Sequence, residues 1–160
     1  IIKSMGILLE LLSENFEGGE SVSDIFIESR KLKSVNIQEK QVPSLIDEIP
    51  ILAVIATQAT GTTTIRGAKE LRFKESDRIE SILYNLRNMG AIVKEFSDGF
   101  SVTGPTKLKG SMIRTYGDHR IAMAFTIAGL IATGNTKLDN YECINISFPG
   151  FFDTLKSIIT

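Results

Sequence analysis

The nine residues Leu71-Arg72-Phe73-Lys74-Glu75-Ser76-Asp77-Arg78-Ile79 hold the densest group of chemistry-bearing side chains in the chain. Three cations and two carboxylates fall between Arg72 and Arg78. Here a β-branched run, Thr62 to Arg66, gives way to Ile79, Ile82, Leu83, Leu86 and Met89 at helical spacing. Ser76 or Asp77 is placed to cap that helix, so its unpaired N–H groups open beside Lys74 and Arg78. A helix start flanked by Lys and Arg suits phosphate or carboxylate. Glu75 is the odd member: it turns proton carrier only if a bound anion or desolvation favours its neutral form. The same lettering also fits a solvated helix start laced by local ion pairs.

Two other places carry comparable residues. Asp47 stands just before the apolar run Ile51 to Ala59, with Pro50 in its first turn, which suits an N-cap aspartate. Asp118-His119-Arg120 opens a second apolar run that ends before Gly134. Arg120 has the unfavourable sign for a helix N-terminus, and that mismatch points to function. Taken singly, Asp47 and Asp118 read as caps and His119 as a hydrogen-bonded structural residue. Taken together with Lys74, Glu75 and Arg78, they supply cations and carboxylates from three distant segments. Two arginines suit a ligand carrying both carboxylate and phosphate.

The elements that must position them follow in order. The first residues read as the last turns of a helix closed by Gly6, so the chain is expected to be a fragment or a single domain of something longer. Strands are expected over Ile7–Leu12, Ser23–Ser29, Val35–Ile37 and Thr62–Gly67, with a hairpin of Ala91–Phe96 and Gly99–Thr103. Further strands are expected over Met112–Thr115, Thr136–Leu138 and Cys143–Ile146, and Phe148–Phe152 opens a final helix. The order repeats. Ala59-Thr60-Gly61-Thr62-Thr63 matches Ala132-Thr133-Gly134-Asn135-Thr136, Leu32-Lys33-Ser34 matches Leu108-Lys109-Gly110, and Met5-Gly6 matches Met89-Gly90. The period is about 75 residues, one βαβαββ unit each, so the fold class is α+β with helices packed on mixed or antiparallel sheets. Residues 1–38 would end a truncated unit, and 39–113 and 114–160 would be the units that follow. Repetition makes Asp47 and Asp118 equivalent and brings like helix starts to one end, where loops carry function.

Composition bounds the partners. With 160 residues, 42% of them hydrophobic, and a net charge of −1, the chain has no global field for nucleic acid or an anionic membrane. Any anion site is therefore local. A lone cysteine, Cys143, excludes an internal disulfide and suits a reducing, cytoplasmic setting. One histidine and no Cys/His cluster leave no expected metal site. No apolar run is long enough to span a bilayer, and no targeting segment is evident.

Leu71 to Ile79, Asp118-His119-Arg120-Ile121-Ala122-Met123 and Ser147-Phe148-Pro149-Gly150-Phe151-Phe152 together resemble the signatures of the 3-phosphoshikimate 1-carboxyvinyltransferases, or EPSP synthases. The motifs occur in the family's order and spacing, and Asp47 falls where the family keeps an aspartate. The resemblance implies a lobe of an enolpyruvyl transferase-like fold: two similar lobes, each of three βαβαββ units, closing on substrates between them. This chain would match most of the C-terminal lobe, with the N-terminal lobe as its partner. The implied reaction moves the enolpyruvyl group of phosphoenolpyruvate onto the 5-hydroxyl of shikimate 3-phosphate and releases phosphate, without metal or organic cofactor. By resemblance, Asp47 is the base toward the attacking hydroxyl and also orients shikimate. Glu75 is the acid toward the methylene carbon. Arg78 and Arg120 clamp phosphoenolpyruvate, and Lys74 reaches a phosphate. Asp118 and His119 support Arg120.

Two positions depart from the family pattern. Ile146 stands where some members carry a phosphate-binding lysine, and Glu70 where some carry a substrate-contacting asparagine. With the N-terminal lobe's cations absent, the chain alone is expected to be folded but catalytically silent. Two other functions compete: a UDP-N-acetylglucosamine enolpyruvyltransferase on the same fold, and a non-enzymatic anion-binding module. The related UDP-sugar enzymes lack the Lys-Glu-Ser-Asp-Arg and Asp-His-Arg pair. The absence of a basic stripe argues against a nucleic-acid module.

Overall fold

In the computed structural model, which describes residues 1–159, the apolar runs become the helices around which the rest is arranged. Thr160, the end of the last expected unit, lies outside the described residues. Helix α1 (Ile49–Ala56) has no polar side chain and buries Ile49, Leu52, Ala53, Val54 and Ala56. A helix apolar on every side belongs between layers rather than at a surface. Helix α2 (Arg78–Asn88) is amphipathic: Ile79, Ile82, Leu83 and Leu86 face the core at i, i+3, i+4 and i+7. Helix α3 (His119–Ile131) packs on α1 through a face of Ile121, Ala124, Phe125 and Ala128.

Strands β1 (Leu8–Glu17) and β2 (Glu20–Glu28) form a hairpin of their own across Gly18-Gly19. The main sheet joins β3 (Asn36–Ile37), β4 (Gly61–Ile65), β5 (Ile92–Phe96) and β6 (Gly99–Gly104) in the order β3-β4-β6-β5. The β3–β4 pair is parallel and spanned by α1, while β6 runs antiparallel to both β4 and β5. Strands β7 (Met112–Ile113) and β8 (Lys137–Leu138) repeat the parallel pair, with α3 as crossover. The short helix α4 (Phe151–Ile159) closes the chain. From β3 to β6 the order is βαβαββ, and the architecture is α+β with mixed sheets.

The repetition extends to individual backbone bonds. Lys33 N–H donates to the Met5 carbonyl at 2.9 Å, and Lys109 N–H to that of Met89 at 3.0 Å. Thr60 N–H donates to the Leu32 carbonyl and Thr133 N–H to that of Leu108, both at 2.9 Å. Gly6 and Gly90, which precede these pairs, both take left-handed φ angles, +93° and +87°.

Three expectations are corrected. Asp47 does not cap α1: the cap position is Glu48, and no side chain accepts from the helix start. The carboxylate of Asp47 is drawn instead to two distant arginines, whose charges outcompete a local amide. Helix α1 stops at Ala56, not Ala59, and the Thr57 hydroxyl folds back onto the Val54 carbonyl at 2.6 Å. Cys143–Ile146 is no strand but part of a 3-10 turn, Glu142–Ile146, seeded by Asn140, whose Oδ1 accepts from Glu142 N–H at 3.0 Å and Cys143 N–H at 3.3 Å.

Candidate active site

The site is built where the starts of α1, α2 and α3 meet. A 3-10 turn, Lys69–Phe73, leads out of β4 and aims the charged stretch at α2. Asp77 is the cap, its Oδ1 accepting from Glu80 N–H at 3.0 Å. Asp77 also accepts from Arg72 at 2.9 Å, and Arg72 reaches Glu95 on β5 at 2.8 Å. Arg72 is thus spent on holding the turn to the sheet and takes no part in the site. Because Asp77 already occupies one amide, the anion-binding capacity here rests on side-chain cations more than on the free helix start.

Arg78 turns inward and is only 1% exposed. Its three nitrogens reach three carboxylates from three segments: Nε to Asp118 at 2.8 Å, Nη1 to Asp47 at 2.9 Å and Nη2 to Glu75 at 2.5 Å. A buried guanidinium needs this degree of satisfaction. Burial disfavours its charge, but the hydrogen bond and charge of Asp118, with Asp47 and Glu75, raise its affinity for the proton overall. Asp118 is 0% exposed and works with both oxygens. Oδ1 caps α3 by accepting from Arg120 N–H at 2.9 Å and Ile121 N–H at 3.5 Å. Oδ2 takes Arg78 and the Ser76 hydroxyl, the latter at 3.2 Å.

Asp47 is shared between the two arginines. Besides Arg78, it meets Arg120 Nη2 at 3.2 Å, and its backbone carbonyl accepts from Arg120 Nη1 at 3.3 Å. Burial is the largest single influence on its carboxyl and pushes upward. The Arg78 hydrogen bond and the charges of Arg120, Arg78 and Lys74 together outweigh it and hold Asp47 below the usual range. The outward side chains of Asp47 and Glu75 are 45% and 50% exposed, so ligand can reach both. Lys74 sits close enough to Asp47 to act on its charge and pairs with Glu70 at 2.7 Å. His119 is half-buried at the start of α3, and its ring makes no hydrogen bond or ion pair among the described residues.

Asp47, Glu75, Arg78, Asp118 and Arg120 therefore stand in one connected network, with Lys74 at its edge. The contacts of three participants escaped sequence reasoning. Glu48 lies 3.6 Å from Arg120 Nη1, Glu70 binds Lys74, and the Ser76 hydroxyl supports Asp118. The i, i+4 spacing of Glu70 and Lys74 was the one legible signal among them.

A family model described as EPSP synthase (3-phosphoshikimate 1-carboxyvinyltransferase) matches residues 1–155. The chain belongs to the EPSP synthase family. It is 51% identical over 158 residues to the 3-phosphoshikimate 1-carboxyvinyltransferase of Alkaliphilus oremlandii, and 48% identical over 159 residues to that of Desulforamulus reducens. Each alignment takes in 99% of this chain but 37% of the relative, so the chain spans little more than a third of the length of these family members. A solved EPSP synthase from Acinetobacter baumannii superposes with a TM-score of 0.93 at 39% identity, over 98% of this chain and 37% of that one. The enolpyruvyl transferase NikO from Streptomyces tendae shares the fold, with a TM-score of 0.72 at 22% identity over 98% of this chain and 33% of that one.

Proposed function

We propose that this chain is the major part of the C-terminal lobe of a cytoplasmic 3-phosphoshikimate 1-carboxyvinyltransferase of aromatic amino-acid biosynthesis. The intact enzyme would add the 5-hydroxyl of shikimate 3-phosphate to C2 of phosphoenolpyruvate and then eliminate phosphate, leaving the enolpyruvyl ether. The observation that carries this reading is the three-way clamp of Arg78 on Asp47, Glu75 and Asp118 beside Arg120. It sets two reachable carboxylates on either side of guanidinium groups suited to a carboxylate and a phosphate.

In that scheme Asp47 accepts the proton of the attacking hydroxyl. Its two arginines make it a weak base as it stands. A bound anion that draws the accessible Arg120 and Lys74 toward itself removes part of that stabilisation and strengthens the base. Glu75 delivers a proton to the methylene carbon of phosphoenolpyruvate, and a base recovers one when phosphate departs. Lys74 meets a phosphate group. Asp118 holds Arg78 and the start of α3, and His119 stands beside Arg120 as a supporting residue. Arg78 and Arg120 supply charge stabilisation as negative charge develops on the departing phosphate.

Uncovered apolar surface supports a partner lobe or unit from the same protein. A cleft of about 180 Å³ between α1 and α3 opens beside Asp47, Glu48 and Arg120 and is otherwise lined by Pro50, Ile51, Met123, Ala124, Ile127 and Phe151. The β1–β2 hairpin leaves Leu11, Phe16, Val22, Ile25, Phe26 and Ile27 exposed. Surfaces of this kind are normally covered in the assembled molecule. The chain alone is then catalytically silent, because half of the substrate cradle is missing and water has free entry. The test is complementation. The chain is mixed with the N-terminal portion of a relative, and phosphate release from phosphoenolpyruvate and shikimate 3-phosphate is followed. Release that needs both pieces and both substrates supports the reading; a well-folded pair with no release removes it.

A further inference from the structure

Around the site, five carboxylates (Asp47, Glu48, Glu70, Glu75, Asp118) are paired with only three cations, Lys74, Arg78 and Arg120. With all ionised, the cluster is net negative, a poor greeting for an anionic ligand. The five are not equivalent. Asp118 is fully buried and anchors two helices, while Asp47 and Glu75 are half-exposed and tied to the buried Arg78. Glu48 and Glu70 lie outermost, 60% and 69% exposed, and each is paired with the more accessible cations, Arg120 and Lys74. Neither has another duty. Glu48 occupies the cap position of α1, but its carboxylate accepts nothing from the helix, and the only partner of the Glu70 carboxylate among the described residues is Lys74.

We propose that Glu48 and Glu70 are built-in counter-ions that occupy the anion seats of Arg120 and Lys74 in the empty site and swing away when a ligand arrives. They therefore set how tightly phosphate or carboxylate is held. This rests on the anion-binding role given above to those two cations. Exposed pairs of this geometry are weak, so each carboxylate yields to a better-placed dianion at small cost. Their departure leaves three carboxylates facing three cations, a cluster that no longer repels the ligand. They also keep Lys74 and Arg120 extended toward the site in its absence, so less side-chain ordering remains to be done on binding.

The test is an NMR titration of the chain, paired with the N-terminal portion of a relative, with phosphoenolpyruvate and, separately, inorganic phosphate. It follows the backbone amides around the site and the arginine Nε–H signals. Glu48→Gln and Glu70→Gln keep the side-chain size, and unchanged amide spectra elsewhere confirm the fold. The expected result is an apparent Kd lowered about threefold by each substitution and about tenfold by both, the scale of exposed ion pairs. Glu80→Gln, an exposed carboxylate on α2 with no site cation as partner, should leave Kd nearly unchanged. Wild-type binding that Glu48→Gln and Glu70→Gln leave equal or weaken overturns the counter-ion inference alone. So does an equal gain in Glu80→Gln, which marks a general charge effect. Binding of neither anion by any variant overturns the inference and the anion-site reading together.

Discussion

Arg78 and Asp118, forty residues apart, form an ion pair of 2.8 Å in which both side chains are withdrawn from solvent, at 1% and 0% exposure. The same aspartate caps α3 with its other oxygen, so one carboxylate fixes the start of α3 against the start of α2. Everything that faces ligand hangs from this joint. Asp118→Asn keeps the cap geometry but removes the one fully buried carboxylate that balances the buried charge of Arg78. Breaking a buried pair in this way predicts a loss of about 3 kcal/mol in urea unfolding. A loss below about 0.5 kcal/mol, the scale of an ordinary surface change, would mean that the joint is not structural.

Arg78→Lys tests whether the fork matters. An ammonium has the charge but cannot send three fixed nitrogens to Asp47, Glu75 and Asp118 at once. The substitution should destabilise the chain by about 2 kcal/mol through unsatisfied buried acceptors. It should also broaden or shift the backbone amides of residues 47, 75 and 118 together. Shifts confined to residue 78 and its neighbours would show that the three segments are not tied through it.

Asp47 gives a pH signature. Its carboxyl is held below the ordinary value of about 3.9, so the stability it contributes is complete above that pH and is lost as pH falls through the lower, folded-state value. Because the side chain is 45% exposed, the contribution is on the order of 1 kcal/mol. The stability gap between wild type and Asp47→Asn should be flat from about pH 5 to 7 and shrink below about pH 4. A gap that widens on acidification would contradict the assignment.

Gly67 controls how the charged stretch leaves β4. Its φ is +73°, and a Cβ added there would lie 2.4 Å from the Glu39 Cβ. Its N–H is held by Asp98 at 3.0 Å, which also pairs with Arg66 at 2.8 Å. Gly67→Ala combines an unfavourable backbone region with a clash. It should lower stability by about 2–4 kcal/mol, measured by chemical unfolding. Gly90→Ala, with positive φ but open space around the added carbon, should lose only about 1 kcal/mol.

Much of this arrangement is written locally. Asp77 and Asp118 read correctly as caps because the amides they bind are two or three residues away. The repeat was visible because the Thr-Gly turns and the Leu-Lys pairs recur with their backbone bonds. Asp47 was misread for the opposite reason. Its partners lie 31 and 73 residues away, and no neighbourhood rule weighs a remote guanidinium against a nearby amide. Asn140 likewise diverted an apolar run, Cys143 to Ile146, from strand into 3-10 turn by capturing two amides. The part played by Glu48 needed coordinates, since adjacency to Asp47 does not say that both lean on Arg120.

The claim that matters most is that Asp47, Glu75 and the arginine pair act as one chemical centre. In the complemented enzyme, steady-state turnover of Glu75→Gln measures it most directly, with the amide spectrum of the variant chain as a control for folding. Loss of a positioned proton donor predicts a kcat reduced by about a hundredfold or more, with KM for phosphoenolpyruvate changed much less. A folded Glu75→Gln pair that turns over within twofold of wild type would contradict the account.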